Sequence, residues 1–291
     1  MSTEKCLFEI PAFVFFIMIE TIYIARHGFR SNWVTNNWNN ATGLPRDPPL
    51  AAYGVTQAEE LATYFLSLPE DKRPTAIFSS PYYRCLQTSK PVSDALGLPI
   101  YVEHGISEWY SPVAPNSGLH PRPSSAATLT RHFPSIDPSS WSSIFFPTRK
   151  GEDVPELHQR VAHFLTDFVP EVEKIKPEHK RILLVSHAAT IIVLARVLLR
   201  DKELPLRVGT CSLTEVHRKR GSEQVIGGWE YGKLAEAGFL TGGVQRDWGM
   251  EDIVMENGKV VEDRGVPGTE HESDEPVGSQ LHSPPPIASS L

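Results

Sequence analysis

The chain reads as a layered α/β fold built on a mostly parallel sheet, and three observations predict it. Short β-rich runs alternate with longer amphipathic ones from Thr21 onward. Of the 291 residues, 40% are hydrophobic and 22% charged, enough apolar material for a full core. Two of the short runs end directly on a histidine, His27 and His187. That is the pattern of a parallel sheet whose carboxyl edge carries a ligand site.

Residues 10–19 (IPAFVFFIMI) form a continuous apolar run, long enough for a signal-peptide core but short of the ~20 residues that span a bilayer. No cleavage site follows, and Glu4, Glu9 and Glu20 stand where a basic cluster would flank a signal. This argues against a membrane or secretory role. Residues 1–19 are read as an apolar N-terminal extension, with Met18 as an alternative start.

Thr21–Ala25 is the first strand and leads into Arg26-His27-Gly28. Residues 31–49, with their Asn, Trp, Gly and Pro, read as a loop. Thr56–Leu68 is helical because Ala58, Leu61, Ala62 and Phe65 recur at i, i+3, i+4 and i+7. Ala76–Ser79 is a strand, Tyr82–Leu96 a helix disturbed at Pro91, and Pro99–Glu103 a third strand. Residues 111–150 hold many Pro and Ser and no sustained period, which predicts an insertion or lid rather than a core element. The span Pro155–Ile175 is an amphipathic helix with Leu157, Val161, Phe164, Leu165 and Phe168 on one face. Arg181–Ser186 is a buried strand, Ala188–Leu199 an apolar helix, and Thr210–Val216 a further strand. From Gly258 the composition turns to Gly, Glu, Ser and Pro, which predicts a disordered polar tail over 258–291. One folded domain is therefore expected over 20–257, with 111–150 as an insertion or lid.

Composition excludes some function classes. Lys and Arg number 28 against 35 Asp and Glu, a net charge of −7 that argues against direct nucleic-acid binding over the surface. Cys6, Cys85 and Cys211 lie too far apart for a disulfide framework or a zinc site, so a reducing compartment, cytoplasmic or nuclear, is expected. His104, His120 and His132 lack metal-ligand spacing and are expected at the surface. Ser80 precedes a proline at a helix start, where capping is its ordinary role. No metal and no cofactor is expected.

The chemistry collects at strand ends. His27 and His187 each follow a strand, Arg84 lies in the first turn of the helix after Ala76–Ser79, and Glu108 sits in the loop after Pro99–Glu103. Two imidazoles, one carboxylate and the guanidiniums of Arg26, Arg30 and Arg84 suit an anion of phosphate type, because arginine forks make charge-assisted hydrogen bonds of ~1.5–3 kcal/mol each. His27 is the candidate nucleophile, kept neutral by Arg26 and Arg30. His187 is the candidate donor on the opposite side, and Glu108, if protonated, the candidate acid for the leaving group.

These residues resemble the histidine phosphatase (phosphoglycerate mutase-like) superfamily: Arg26-His27-Gly28 after an apolar strand, then Leu50…Gly54-x-x-Gln57-Ala58, Ser79-Ser80-Pro81…Arg84…Thr88, Glu108 and Val185-Ser186-His187-Ala188. The resemblance covers roughly residues 20–216. It implies a three-layer α/β/α sandwich, a metal-independent phosphomonoester hydrolase working through phospho-His27, and a phosphorylated small molecule or phosphopeptide as substrate. Phe29 and Arg30 stand where the mutases carry Glu and Ser or Thr, which argues against a phosphoglycerate mutase. The segments IYIARHGFRSNW, SSPYYRCLQT, GISEWY, HFPSIDPSSW and GTCSLTEV are similar, more narrowly, to the phosphatase-like domains of fungal transcription factor C tau subunits and their stand-alone relatives. That likeness implies an alternative: a weakly catalytic or non-catalytic assembly module with transcription factor C subunits as partners.

Overall fold

A computed structural model describes residues 18–281, so the expectations for 1–17 and 282–291 lie outside the described residues. In chain order the elements are β1 (Thr21–Arg26), α1 (Ala52–Ser67), β2 (Ala76–Ser79), α2 (Tyr83–Leu96), β3 (Ile100–Val102), α3 (Ala126–Leu129), β4 (Phe145–Phe146), α4 (Val154–Ile175), β5 (Arg181–Ser186), α5 (Ala188–Leu199), β6 (Leu213–Arg218), β7 (Trp229–Glu236), β8 (Met255–Glu256), β9 (Lys259–Val260) and β10 (Gly278–Ser279).

Six strands form the central sheet in the order β3-β2-β5-β1-β6-β7. The first four are mutually parallel, and β6 and β7 close one edge antiparallel. Side chains alternate across this sheet as a pleat requires. Ile22, Ile24, Ile182 and Leu184 pack with Phe164 and Phe168 of α4 and with the apolar residues of α5. Tyr23, Ala25, Leu183 and Val185 face the other way, onto Leu61 and Phe65 of α1 and Leu86 and Val92 of α2. The three-layer α/β/α sandwich is thus the solution that buries both faces of β1 and β5, which are apolar on both sides in the sequence.

Helix boundaries follow local chemistry. Asp153 and Glu156 cap the start of α4 reciprocally: each side chain accepts the other's backbone N–H at 2.8 Å. Gly97 ends α2 in the left-handed region, φ 66°. Helix α1 begins at Ala52, four residues before the expected start at Thr56, and the Ala51 N–H that precedes it donates to the Phe29 carbonyl at 2.9 Å. Helix α2 continues through Pro91 rather than breaking there, supported by burial of Val92 and Ser93 beyond it. Strand β7 has no clear alternation and was not foreseen; only Trp229 in it is buried.

Two expectations need correction. The 111–150 insertion carries little regular structure, yet it is part of the core: Leu129, Phe133 and Ile136 are buried with the α1–α2 layer, and Trp141, Ile144 and Phe145 with the α4–α5 layer. The 258–291 tail was expected to be disordered, but its described part, 258–281, is docked on that insertion. Val113 and Leu119 bridge to Asp263 and Val266, and β10 pairs antiparallel with β4. Asp274 accepts from Thr148 Oγ1 and from Arg149 N, both at 2.6 Å, and Arg122 Nη1 donates to its carbonyl at 2.7 Å. The reason is polar: low apolar content does not prevent ordering when carboxylates meet guanidiniums and backbone N–H groups at fixed positions.

Candidate active site

The sheet register places the two histidines side by side. Strands β1 and β5 are parallel neighbours, Arg26 is opposite Ser186, and each is followed by a histidine. The His27 N–H donates to the Ser186 carbonyl at 2.9 Å, and the two imidazole centroids are 5.4 Å apart. Strand β2 flanks β5 on the other side and delivers Ser80 and, in the first turn of α2, Arg84; β3 comes next and delivers Glu108. Four consecutive strand ends therefore supply four parts of one cleft.

His27 is 1% exposed and His187 is fully buried. His27 Nδ1 lies 2.8 Å from the Gly28 carbonyl oxygen. A carbonyl can only accept, so Nδ1 carries the ring proton and Nε2 keeps the lone pair. Burial, reinforced by Arg84, Arg26, Arg30 and His187, pushes the His27 imidazole well below the ordinary histidine range. Motif residues around it are structural. Gln57 Oε1 accepts the Phe29 N–H and Thr88 Oγ1 accepts the Gly28 N–H, both at 3.0 Å. Gly54 is required, because a Cβ there would stand 2.1 Å from the Phe29 carbonyl oxygen.

Arg84 organises the far side. Its Nη1 donates to Asp47 Oδ1 at 3.0 Å, and its Nη2 to Glu108 Oε2 at 3.0 Å and His187 Nδ1 at 3.1 Å. His187 Nδ1 thus sits between the Arg84 donor and the Glu108 carboxylate, 3.3 Å from Oε2, and its Nε2 lies 2.8 Å from Ser80 Oγ. Ser80 is therefore a partner of His187 and is not the N-cap of α2, which is Tyr82. Burial, against the opposing Glu108, lowers His187 to about 4. Burial alone would raise the Glu108 carboxyl, but contact with His187 and the charges of Arg84 and Arg30 hold it well below its ordinary range. The fold thus favours the ionised form of Glu108, whose protonation the sequence left conditional.

Arg26 and Arg30 complete the cradle. Burial brings both guanidiniums down to about 10, and both remain charged at neutral pH. Arg26 Nη1 donates to the carbonyls of Val208 at 2.8 Å and Arg246 at 2.5 Å. The buried Nε–H groups of Arg26, Arg30 and Arg84 have no hydrogen-bond partner among the described residues. Unpartnered cationic donors in one cleft mark an anion site. Ligand atoms of His27, Glu108 and His187 also lie within 4.8 Å of one another, close enough for a metal ion. The surrounding guanidiniums oppose a divalent cation there and favour an oxyanion.

All six residues picked out in the sequence lie in this cleft. Asp47 was missed: it is 2% exposed, pairs with Arg84, and accepts the Tyr83 N–H at 2.8 Å. Nothing local marks it, since an Asp before Pro48-Pro49 reads as an ordinary loop residue. His104 and His120 are not at the surface; they are 4% and 1% exposed. His104 Nδ1 meets Ser143 Oγ at 2.8 Å, and His120 stacks on Tyr110 with centroids 4.5 Å apart.

Comparison with known proteins gives the same family. The family described as the histidine phosphatase superfamily (branch 1) matches residues 22–229. The Saccharomyces cerevisiae protein named transcription factor tau 55 kDa subunit is 40% identical over 221 residues, 72% of this chain and 50% of its own length. The Mus musculus ubiquitin-associated and SH3 domain-containing protein A is 33% identical over 139 residues, 37% of this chain and 22% of its own. The chain thus spans half the length of the first relative and about a fifth of the second. The crystal structure of ecdysone phosphate phosphatase from Bombix mori in complex with tungstate has a TM-score of 0.56 at 17% identity, covering 74% of this chain and 93% of that one. This last likeness concerns the fold.

Proposed function

The chain belongs to the histidine phosphatase superfamily, and from that premise we propose that it is a metal-independent phosphomonoester hydrolase working through a phosphohistidine on His27. One observation carries the reading: a neutral imidazole whose Nδ1 is committed to Gly28 leaves Nε2 free beside unpartnered guanidinium donors. Nε2 attacks phosphorus, the N–P bond forms, and the bond to the ester oxygen breaks. Arg26, Arg30 and Arg84 take the negative charge of the transferring group, and His187 donates to a phosphoryl oxygen. Glu108 gives a proton to the leaving oxygen, then takes one from the water that attacks phosphohistidine and releases phosphate.

Glu108 acquires that proton from the charge balance of the cleft. The three guanidiniums stand against the carboxylates of Asp47 and Glu108, leaving one positive charge in the cradle. A bound phosphate dianion turns this into one negative charge, and a like charge beside a carboxylate favours its protonated form. The acid is thus armed by the substrate. The test is release of phosphate from para-nitrophenyl phosphate in EDTA, with His27→Ala lowering the rate about 10⁴-fold or more. Turnover that survives in that variant, or that EDTA removes, defeats the reading.

A second reading is favoured by the 40% identity to a protein named as a transcription factor subunit. In it the same domain serves as a nuclear assembly module and meets transcription factor C subunits. Co-purification of such subunits with the tagged full chain supports it; a chain that migrates alone in gel filtration of extract counts against it.

A further inference from the structure

The three guanidiniums of the cradle are held in three different ways. Backbone carbonyls hold Arg26; carboxylates hold Arg84, whose guanidinium carbon also lies 4.5 Å from the Tyr82 ring centroid. Arg30 has no carboxylate partner among the described residues: its guanidinium carbon lies 4.3 Å from the Trp33 centroid, and its buried Nε–H is unpartnered among those residues. The arrangement is local in origin. Residues Ser31–Trp33 form a 3₁₀ turn, the Trp33 N–H donates to the Arg30 carbonyl at 3.2 Å, and the spacing of three brings the indole under the guanidinium.

The choice of an aromatic ring has a chemical consequence. A carboxylate would cancel the charge of Arg30 and occupy its N–H donors. An indole attracts the cation through its quadrupole and takes neither. The same ring lies 6.3 Å from the His27 imidazole, 5.9 Å from the guanidinium carbon of Arg26 and 5.4 Å from that of Arg246. Phe29 braces it edge-on, centroids 5.0 Å apart. We propose that Trp33 is a positioning residue of the phosphate cradle, holding Arg30 by a cation–π contact that leaves its charge and its donors free for the substrate oxyanion. This rests on reading the cleft as a phosphate site, and does not require that the bound ester be hydrolysed.

The experiment measures binding of inorganic phosphate to the full chain by calorimetry, for wild type, Trp33→Phe and Trp33→Leu, each also in an Arg30→Gln background. Trp33→Leu weakens phosphate binding about tenfold, while Trp33→Phe, which keeps a π face, stays within about threefold. In the Arg30→Gln background Trp33→Leu has no further effect. With para-nitrophenyl phosphate, Trp33→Leu lowers kcat/KM about tenfold, Trp33→Phe restores it to within about threefold, and the loss disappears in the Arg30→Gln background. A structural role would lower the melting temperature and kcat of both variants together. Unchanged phosphate affinity in Trp33→Leu, an equal loss in the Arg30→Gln background, or no phosphate binding by wild type overturns the proposal. Phosphate binding with the expected variant pattern but no ester turnover upholds it and defeats the hydrolase reading alone.

Discussion

Two charge networks border the cleft, made of the same residue types in different surroundings. On the sheet side, Arg84 and Asp47 are each 1% exposed and bonded to Glu108, His187 and the Tyr83 N–H. On the other side, Arg46–Asp263, Arg149–Glu272 and Arg122–Asp274 tie the loop and the insertion to the C-terminal segment, and Asp263 and Glu272 are about half exposed. An exposed pair contributes ~0–1 kcal/mol, because water competes for both charges. Removing one partner of a buried pair costs ~3–5 kcal/mol, because the remaining charge has no solvent to turn to. The difference teaches that solvent access, more than ion-pair count, decides where the geometry of the cleft is rigid.

The comparison breaks first at Asp47. Asp47→Asn leaves Arg84 charged and buried beside an amide, and should destabilise the fold by about 3–5 kcal/mol, read as a lower urea midpoint at unchanged m. A change below about 1 kcal/mol would place this pair in the same class as the exposed ones.

Acid sharpens it next. His187 in the sheet-side network and His104 under the insertion are both held near 4 by burial. Unfolded, each titrates near 6.5. Between those values the unfolded chain binds more protons, so stability falls as pH falls from about 6.5 and the loss levels off near pH 4. Each histidine contributes up to about 3 kcal/mol to this slope. His104→Gln should therefore lose correspondingly less stability than wild type between pH 7 and pH 4, in urea melts at both pH values. An unchanged slope would mean that His104 is charged in the fold.

The smallest effect belongs to the C-terminal segment. Asp274→Ala removes the acceptor of Thr148 and of the Arg149 N–H, a loss of about 1–2 kcal/mol. It should appear as faster amide exchange over 263–281 while β1 and β5 keep their protection. Equal acceleration in those strands would show the two networks to be one cooperative unit.

The cleft was readable in the sequence to the extent that its residues sit at the ends of strands. His27, His187, Arg84 and Glu108 follow apolar runs whose period announces a buried sheet, and a parallel sheet gathers its carboxyl ends on one edge. Asp47, Ser80 and Trp33 were not assigned their places, because each lies in a segment whose local pattern is that of a loop or a cap. The protonation of Glu108 stayed conditional for a related reason. Its state depends on Arg84, Arg30 and His187, which only the fold brings to it.

By itself, then, the order of apolar and polar residues determined the layers of this protein, the strands β1 and β5, and the sheet edge that carries the candidate site, since burial direction is written in local periodicity. Tertiary structure decided which charges meet. Arg46 finds Asp263 across 217 positions, and polar residues 258–281 order against the insertion. Such contacts leave no periodic trace, because an ion pair depends on distance in space and on the water excluded around it, neither of which is a property of neighbouring residues in the chain.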